Sequence, residues 1–449
     1  MAVVLQRSDV PDVTAPARAR LPERVVYVHH GQTPGGAPTS LRTLIEGIGE
    51  EASEVDRVVG CVFTPMMPFF ADVDGISVEQ SPPAAVILGK KLIGWNPLFA
   101  RSSARESICQ LMAARHTISE EAAWLEASSP DIVHLNSATL WTTALAAKRA
   151  DLPLVWHVRE TLYGGRFSLR KRLYGRFIRR TADAVIAISP TDAKSLGPDR
   201  EGKVRVVYNA IDLSRFAPER HDRTEARRRL GLPEDGFLAL SLGGFSHRKG
   251  AWQLVRALNL LPDRVHLAIV GPGKPGAVGR GRRLGRLTWR IEDALVALGL
   301  KPTQTLRYPE RVGAEITPGE RRLHCPGHAD DVAPWIAAAD VLVFGGTIPH
   351  FARPVYEAWA MAKPVIAFDN QAMRREIEDG VDGFLVPREK PEELADAIHR
   401  LADDPELCRR LGEQGRKKAL ARFDRTKNTR AVLDVYAEVL AARAQQRAA

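Results

Sequence analysis

Cysteine is scarce in this 449-residue sequence: Cys61, Cys109, Cys325 and Cys408 lie tens of residues apart, and no C-x-x-C pair occurs. Neither a zinc knuckle nor a disulfide framework is indicated, and a reducing compartment fits. Long apolar runs are missing as well. No window approaches the roughly 18 consecutive apolar residues that a membrane helix needs. The start offers only Ala2 to Leu5 before Arg7 and Asp9, too little for the apolar core of a signal peptide. A cytoplasmic protein is therefore expected. Aromatic residues are only 6% of the chain and are not regularly spaced as base-stacking platforms would be. Nucleic-acid binding has no support beyond charge.

Basic charge, by contrast, is plentiful. Lysine plus arginine exceeds aspartate plus glutamate by 64 − 54 = 10, which favours anionic partners such as nucleotides or phospholipid surfaces. Residues 1–21 mix Pro, Ala, Arg and Asp and read as a mobile tail. The β-branched run Val25 to Val28 then ends in His29-His30-Gly31, passes through Gly35-Gly36, and enters a helical pattern over Thr39 to Ile48. Strand, glycine loop and helix in that order open a doubly wound α/β domain. Short, nearly all-apolar segments recur at 131–135, 154–158, 184–188 and 204–208, as buried parallel strands should. A second series occupies 238–242, 265–270, 341–344, 365–368 and 384–386, with helical patterns at 252–260 and 355–361. The expectation is two Rossmann-like domains, 22–212 and 213–425. A Gly- and Arg-rich insertion at 274–320 holds some helix near Arg290 to Leu298, and a last helix at 426–449 turns back toward the first domain.

Two constellations suggest chemistry. Near Arg353-Pro354-Val355-Tyr356-Glu357 a helix begins with a proline suited to its first turn, and helix N-termini attract anions. Glu357, one turn in, would repel a phosphate but can accept two hydrogen bonds from a sugar diol, so a nucleotide with its ribose beside Glu357 is self-consistent. The plainer alternative is a glutamate that favours the positive end of a helix dipole. Ser241-Leu242-Gly243-Gly244-Phe245-Ser246-His247-Arg248-Lys249-Gly250 follows a strand, and Arg248 with Lys249 can neutralise a departing diphosphate. A solvated turn with two surface cations is its plainer version.

In order and spacing these pieces resemble the retaining glycosyltransferases of GT-B fold, in the large fourth sequence family. The blocks are the glycine loop, Ala182 to Ser189, Val207 to Asp212, Arg248-Lys249-Gly250, Ile269 to Gly273, Gly327 to Val332, and Arg353 to Ala358. The resemblance spans about Arg24 to Leu440. It implies a nucleotide-sugar donor bound mainly by the second domain, an acceptor bound mainly by the first, and transfer with retention and no required metal or other cofactor. By that resemblance Glu357 is the second glutamate of an E-x7-E element and binds the donor ribose, and Lys249 contacts the diphosphate beside Arg248. Gly35 and Gly36 lie near the reacting phosphate and sugar, His328, Ala329 and Asp330 hold the base, and Phe351, Ala352, Arg353 and Val355 form the donor-side helix start. At the strand end of the first domain, His157 fits the family's histidine by type and Arg159 by position.

Two departures stand out: the first glutamate of E-x7-E is Pro349, and the arginine usual five residues before the phosphate lysine is Gly244. Neighbouring His350, Arg248 or Arg353 can compensate. Two enzyme alternatives and one of another kind stay open: a nucleotide-sugar epimerase of the same fold, a dehydrogenase, and a non-catalytic protein that binds a membrane or a partner. Gly271-Pro272-Gly273-Lys274-Pro275-Gly276 satisfies G-x-G-x-x-G, but Pro275 opposes the helix that a dinucleotide site requires. Asp72-Val73-Asp74 has the spacing of a metal-binding acid pair but reads as a solvated turn. Finally, Arg166, Arg170, Lys171, Arg172, Arg176, Arg179 and Arg180 form an acid-free stretch with apolar residues interleaved, an amphipathic helix that can lie on an anionic membrane or pack on the sheet with a solvated basic face.

Overall fold

The computed structural model describes residues 20–33, 35–94, 101–163, 169–276, 308–347 and 352–448. Residues Phe351, Pro349 and His350, the tail through residue 19, and the expected helix near Arg290 to Leu298 fall outside them.

Two parallel sheets organise the chain. The first contains β1 (Arg24–His29), β2 (Asp56–Cys61), β3 (Ile76–Gln80), β4 (Ile132–Leu135), β5 (Leu154–Val158), β6 (Ala184–Ala187) and β7 (Val204–Val206), in the order β3-β2-β1-β4-β5-β6-β7. The second contains β8 (Phe237–Leu242), β9 (Val265–Val270), β10 (Leu323–Gly327), β11 (Val341–Phe344), β12 (Val365–Phe368) and β13 (Phe384–Val386), in the order β10-β9-β8-β11-β12-β13. Each reverses its direction of growth once, between β1 and β4 and between β8 and β11. In open α/β sheets ligands bind outside the carboxyl ends of the strands at such reversals. Two of the functional candidates from the sequence, the glycine loop after β1 and the Arg248–Lys249 loop after β8, lie there.

The apolar segments read as strands are strands. Three others escaped notice, each with a physical reason. In β2, Arg57 is a buried arginine that donates to the carbonyls of Ile45 and Gly75, so its charge hides a central strand. β3 and β10 are edge strands, where polar residues and a proline, Pro326, are tolerated. The end of the stretch taken as an insertion is also structured: Tyr308 and Val312, in the helix Tyr308–Gly313, are buried in the second domain's core, and the Tyr308 hydroxyl accepts a hydrogen bond from the Trp252 amide at 2.9 Å.

Helices on both faces bury the sheets. The last of them, Arg425–Ala448, leaves the second sheet and lies on the first, where Val432, Val435 and Tyr436 join Tyr27 and Ile45 in one core. Arg425 pairs with Glu50 at 2.6 Å and Arg443 with Asp183 at 3.0 Å. The helix that carries Glu357, Arg353–Ala360, is backed by the helix Pro405–Arg422 through two glycines. A methyl group at Gly412 would run into the Ala362 carbonyl oxygen, and one at Gly415 into the Trp359 ring.

That close approach predicts the cost of Gly412→Ala. Alanine gains up to about 1 kcal/mol in helix propensity, but the clash with fixed backbone costs about 1–3 kcal/mol. Urea unfolding should show a net loss of stability, whereas a stabilised variant would contradict the packing described.

Candidate functional site

At the first reversal, β1 ends in His29, which is buried at the crest of the sheet. The Gly31 amide donates to His29 Nε2 at 3.0 Å. Asn136, directly after β4, sets its Nδ2 3.1 Å from His29 Nδ1 and donates to the Ala37 carbonyl at 3.3 Å. Burial, helped by the nearby Arg159 cation, drives the His29 pKa down to about 3, so the ring is neutral at physiological pH. Arg159, just beyond β5, donates from Nε to Asn136 Oδ1 and from Nη1 to Asn209 Oδ1. Its Nη2 is buried with no hydrogen-bond partner among the described residues, and desolvation lowers its pKa to about 9.

His157 occupies the layer beneath. Its Nδ1 lies 3.2 Å from His134 Nε2, and His134 Nδ1 lies 2.7 Å from the Tyr436 hydroxyl on the C-terminal helix. Arg159 thus stands at the crest among the asparagines, while His157 turns toward the helix that crosses from the second domain. Both border one small hollow together with Ser40 and Thr429.

The second reversal is built from interlocked loops. The Gly244 amide donates to the Val270 carbonyl at 3.0 Å, the Phe245 amide to Pro272 at 3.0 Å, and the Gly271 amide to Gly327 at 2.7 Å. Gly244 has φ of +73°, and a Cβ there would run into the Pro272 carbonyl oxygen. A residue with a side chain would be strained as well as crowded, so this chain cannot carry the family's arginine at 244 without moving the loop. The Lys249 side chain folds across Gly243 and places Nζ 5.6 Å from the centre of the Phe344 ring. Burial first, and Arg248 second, hold its pKa below the usual lysine value. The Thr347 amide donates to the Arg248 carbonyl at 3.0 Å, tying the loop after β8 to the loop after β11.

One guanidinium joins the two crests. Arg353 Nε donates to Glu357 Oε1 at 2.7 Å, and Arg353 Nη1 donates at 3.1 Å to the hydroxyl of Ser40, in the helix Gly36–Glu51 that follows the glycine loop. Glu357 is only 5% exposed, and burial pushes its pKa up although Arg353 pulls it down. Its Oε2 accepts no hydrogen bond among the described residues. Arg215 and Asp331, 2.7 Å apart, also bear on the Glu357 charge, which brings the segment Gly327 to Asp331 to the same place. There His328 and Asp330 are exposed and Ala329 packs against the core.

Two of the residues expected on the donor side lie inward. Val355 is wholly buried in the core and its amide is spent on the Ala352 carbonyl at 2.8 Å, so it offers the cleft neither side chain nor free N–H. Pro354 has no N–H at all, and Ala352 is likewise buried. The start of this helix is thus poorer in amide donors than its sequence suggests. By contrast Gly35, with an extended φ of 178°, and Gly36 have open space where a side chain would stand. Ser40, Asn136, Asn209 and Arg215 were missed. Position was the available signal for Asn136, which directly follows a buried strand, and the block Val207 to Asp212 was the signal for Asn209; the other two meet the site only through the fold.

Two family models match the chain, glycosyl transferases group 1 over residues 222–418 and glycosyltransferase family 4 over residues 34–215. A D-inositol 3-phosphate glycosyltransferase of Streptomyces bingchenggensis is 32% identical over 331 residues, 69% of this chain and 67% of that protein. The enzyme of the same name from Xylanimonas cellulosilytica is 31% identical over 330 residues, 69% of this chain and 72% of that protein. Among solved structures, Anabaena HepE in complex with UDP-glucose is similar with a TM-score of 0.66 at 22% identity, covering 93% of this chain and 99% of its own. That likeness bears on the fold, which is GT-B. With both halves matched and relatives above 30% identity along two thirds of their length, the chain belongs to the group 1, family 4 glycosyltransferases.

Proposed function

We propose that the cleft between the two crests transfers a sugar from a nucleoside diphosphate sugar to a hydroxyl acceptor with retention of anomeric configuration. The observation that carries this reading is the Arg353 bridge between Glu357 and Ser40, which puts a carboxylate, a glycine loop and a helix start at one meeting point of two switch points. In this reading Glu357 Oε2 accepts the ribose diol, and Lys249 with Arg248 neutralises the diphosphate as its bond to the sugar breaks. Gly35 and Gly36, for which the protein itself has no steric need, leave room for the sugar and the reacting phosphate. The backbone from Gly327 to Asp330 borders the base. Arg159 orients the acceptor, His157 braces the strand end from below, and the enzyme supplies no covalent carboxylate and requires no metal.

The similarity to the UDP-glucose complex supports a uridine donor as the first to test, and the relatives' names support inositol 3-phosphate as the first acceptor. Product formation from UDP-glucose with that acceptor, followed by proton NMR of the new anomeric centre, tests both transfer and retention. An inverted anomer would overturn retention. Conversion of the donor sugar without any acceptor would instead make the protein an epimerase.

Removing one charge-assisted contact costs about 1.5–3 kcal/mol, so Lys249→Ala and Glu357→Ala should each lower kcat/KM about ten- to a hundredfold. Unchanged kinetics would remove those two roles.

A pH series separates the lysine further. The diphosphate needs the charged ammonium, and burial lowers the Lys249 pKa, so UDP affinity should fall with rising pH sooner than an ordinary lysine would allow. Lys249→Arg keeps its charge and should flatten that fall in a calorimetric titration. A parallel decline in both proteins would contradict the assignment.

A further inference from the structure

Away from the cleft, the structure has a second concentration of positive charge. The helix Leu169–Thr181 and the turn after Ser195 enclose a hollow of about 560 Å³ lined by Arg172, Arg176, Arg179, Arg180 and Arg200, with Glu201 as the one acid. Glu201 is already engaged, 3.6 Å from Lys203 Nζ. Arg179 has a structural duty, since it donates to the Leu196 carbonyl. The other four make no ion pair or hydrogen bond among the described residues. That is unusual for this chain, whose arginines elsewhere are repeatedly matched with acids, as in Arg322 with Glu320, Arg374 with Asp369 and Arg409 with Glu406.

Four unpaired guanidinium groups around one hollow repel each other, and a helix dipole repays little of that at exposed positions. Planar, five-donor guanidinium groups match the oxygens of phosphate better than any other side chain. We propose that this hollow binds a phosphate ester, separately from the donor cleft. The sheet topology sets it apart. The last turn of the helix leads into the amino end of β6, and the turn after Ser195 leads into the amino end of β7, whereas the cleft lies at the carboxyl ends.

Two sources can supply the group, a lipid headgroup or a soluble phosphate ester. Leu169 and Leu173 on the same helix are 67% and 58% exposed, and Ile108, Leu111 and Met112 are exposed on the helix Arg101–Ser128. Both helices contact the helix Val86–Leu92. Apolar anchors beside unpaired cations match the boundary between headgroup and acyl chain, which favours the lipid.

The test uses the full chain and the double variant Arg176→Glu, Arg180→Glu. Both positions are exposed and unpaired, so the fold does not depend on them; Arg176→Lys, Arg180→Lys serves as the charge-keeping control. Flotation is measured with vesicles of phosphatidylcholine alone and with about one third phosphatidylglycerol, and glycerol 3-phosphate is titrated by calorimetry. The expected result is binding to the anionic vesicles only, about tenfold or more weaker in the glutamate variant and retained in the lysine variant. Glycerol 3-phosphate binding lost in the glutamate variant, without vesicle binding, supports the same site with a soluble ligand. Binding to neither probe, or equal binding by the glutamate variant, overturns the proposal.

Discussion

The guanidinium of Arg353 is the point on which the candidate site depends. It reaches Glu357 on its own helix and Ser40 on the opposite domain, so one planar group ties the two crests together. A lysine could satisfy one partner as a point charge but could not hold both in fixed geometry. The pair is buried, and burial works against the Glu357 charge. Such an arrangement is weak evidence of stability and better evidence of specificity, because breaking it strands a charge. The carboxylate is thereby held with one oxygen committed and the other open.

Topology supplies the second constraint. Each sheet reverses its order once, and each reversal opens a crevice at the carboxyl ends of its strands. The two domains fill these crevices differently. In the first, a neutral histidine, two asparagines and an under-satisfied arginine make a polar crest with little net charge to spare. In the second, tight glycine loops carry Arg248 and Lys249, and a partly desolvated lysine strengthens any charge it meets. The contrast fits the proposed reaction, in which an uncharged hydroxyl and a diphosphate are brought together. The C-terminal helix links the domains, since Tyr436 reaches His134 and, through it, His157.

Much of the fold was legible because buried parallel strands are short and almost wholly apolar, and such runs stand out against their neighbours. β2, β3 and β10 were not, because a buried arginine or an edge position breaks that pattern. Among site candidates, Lys249, Arg248 and Glu357 were visible from their place next to a strand or helix start. Val355 and Ala352 looked like open parts of a helix start, and only the fold shows that both side chains are buried and that the Val355 amide is bonded to the Ala352 carbonyl. Gly244 looked like a lost arginine. Its positive φ and its contact with Pro272 recast it as a residue that the loop geometry demands.

Local order along the chain was therefore enough to determine two doubly wound domains, the loops at their switch points and the charge those loops carry. Such properties arise from residues close together in sequence, where periodicity and turn chemistry act directly. The tertiary structure decided the pairing of Arg353 with Ser40, 313 residues away, and the different partners of Arg159 and His157, two asparagines for the one and His134 for the other. It also decided the gathering of Arg200 with the arginines of an earlier helix. These depend on which faces meet when the sheets are covered, and side chains hundreds of residues apart leave no pattern in one sequence by which to find each other.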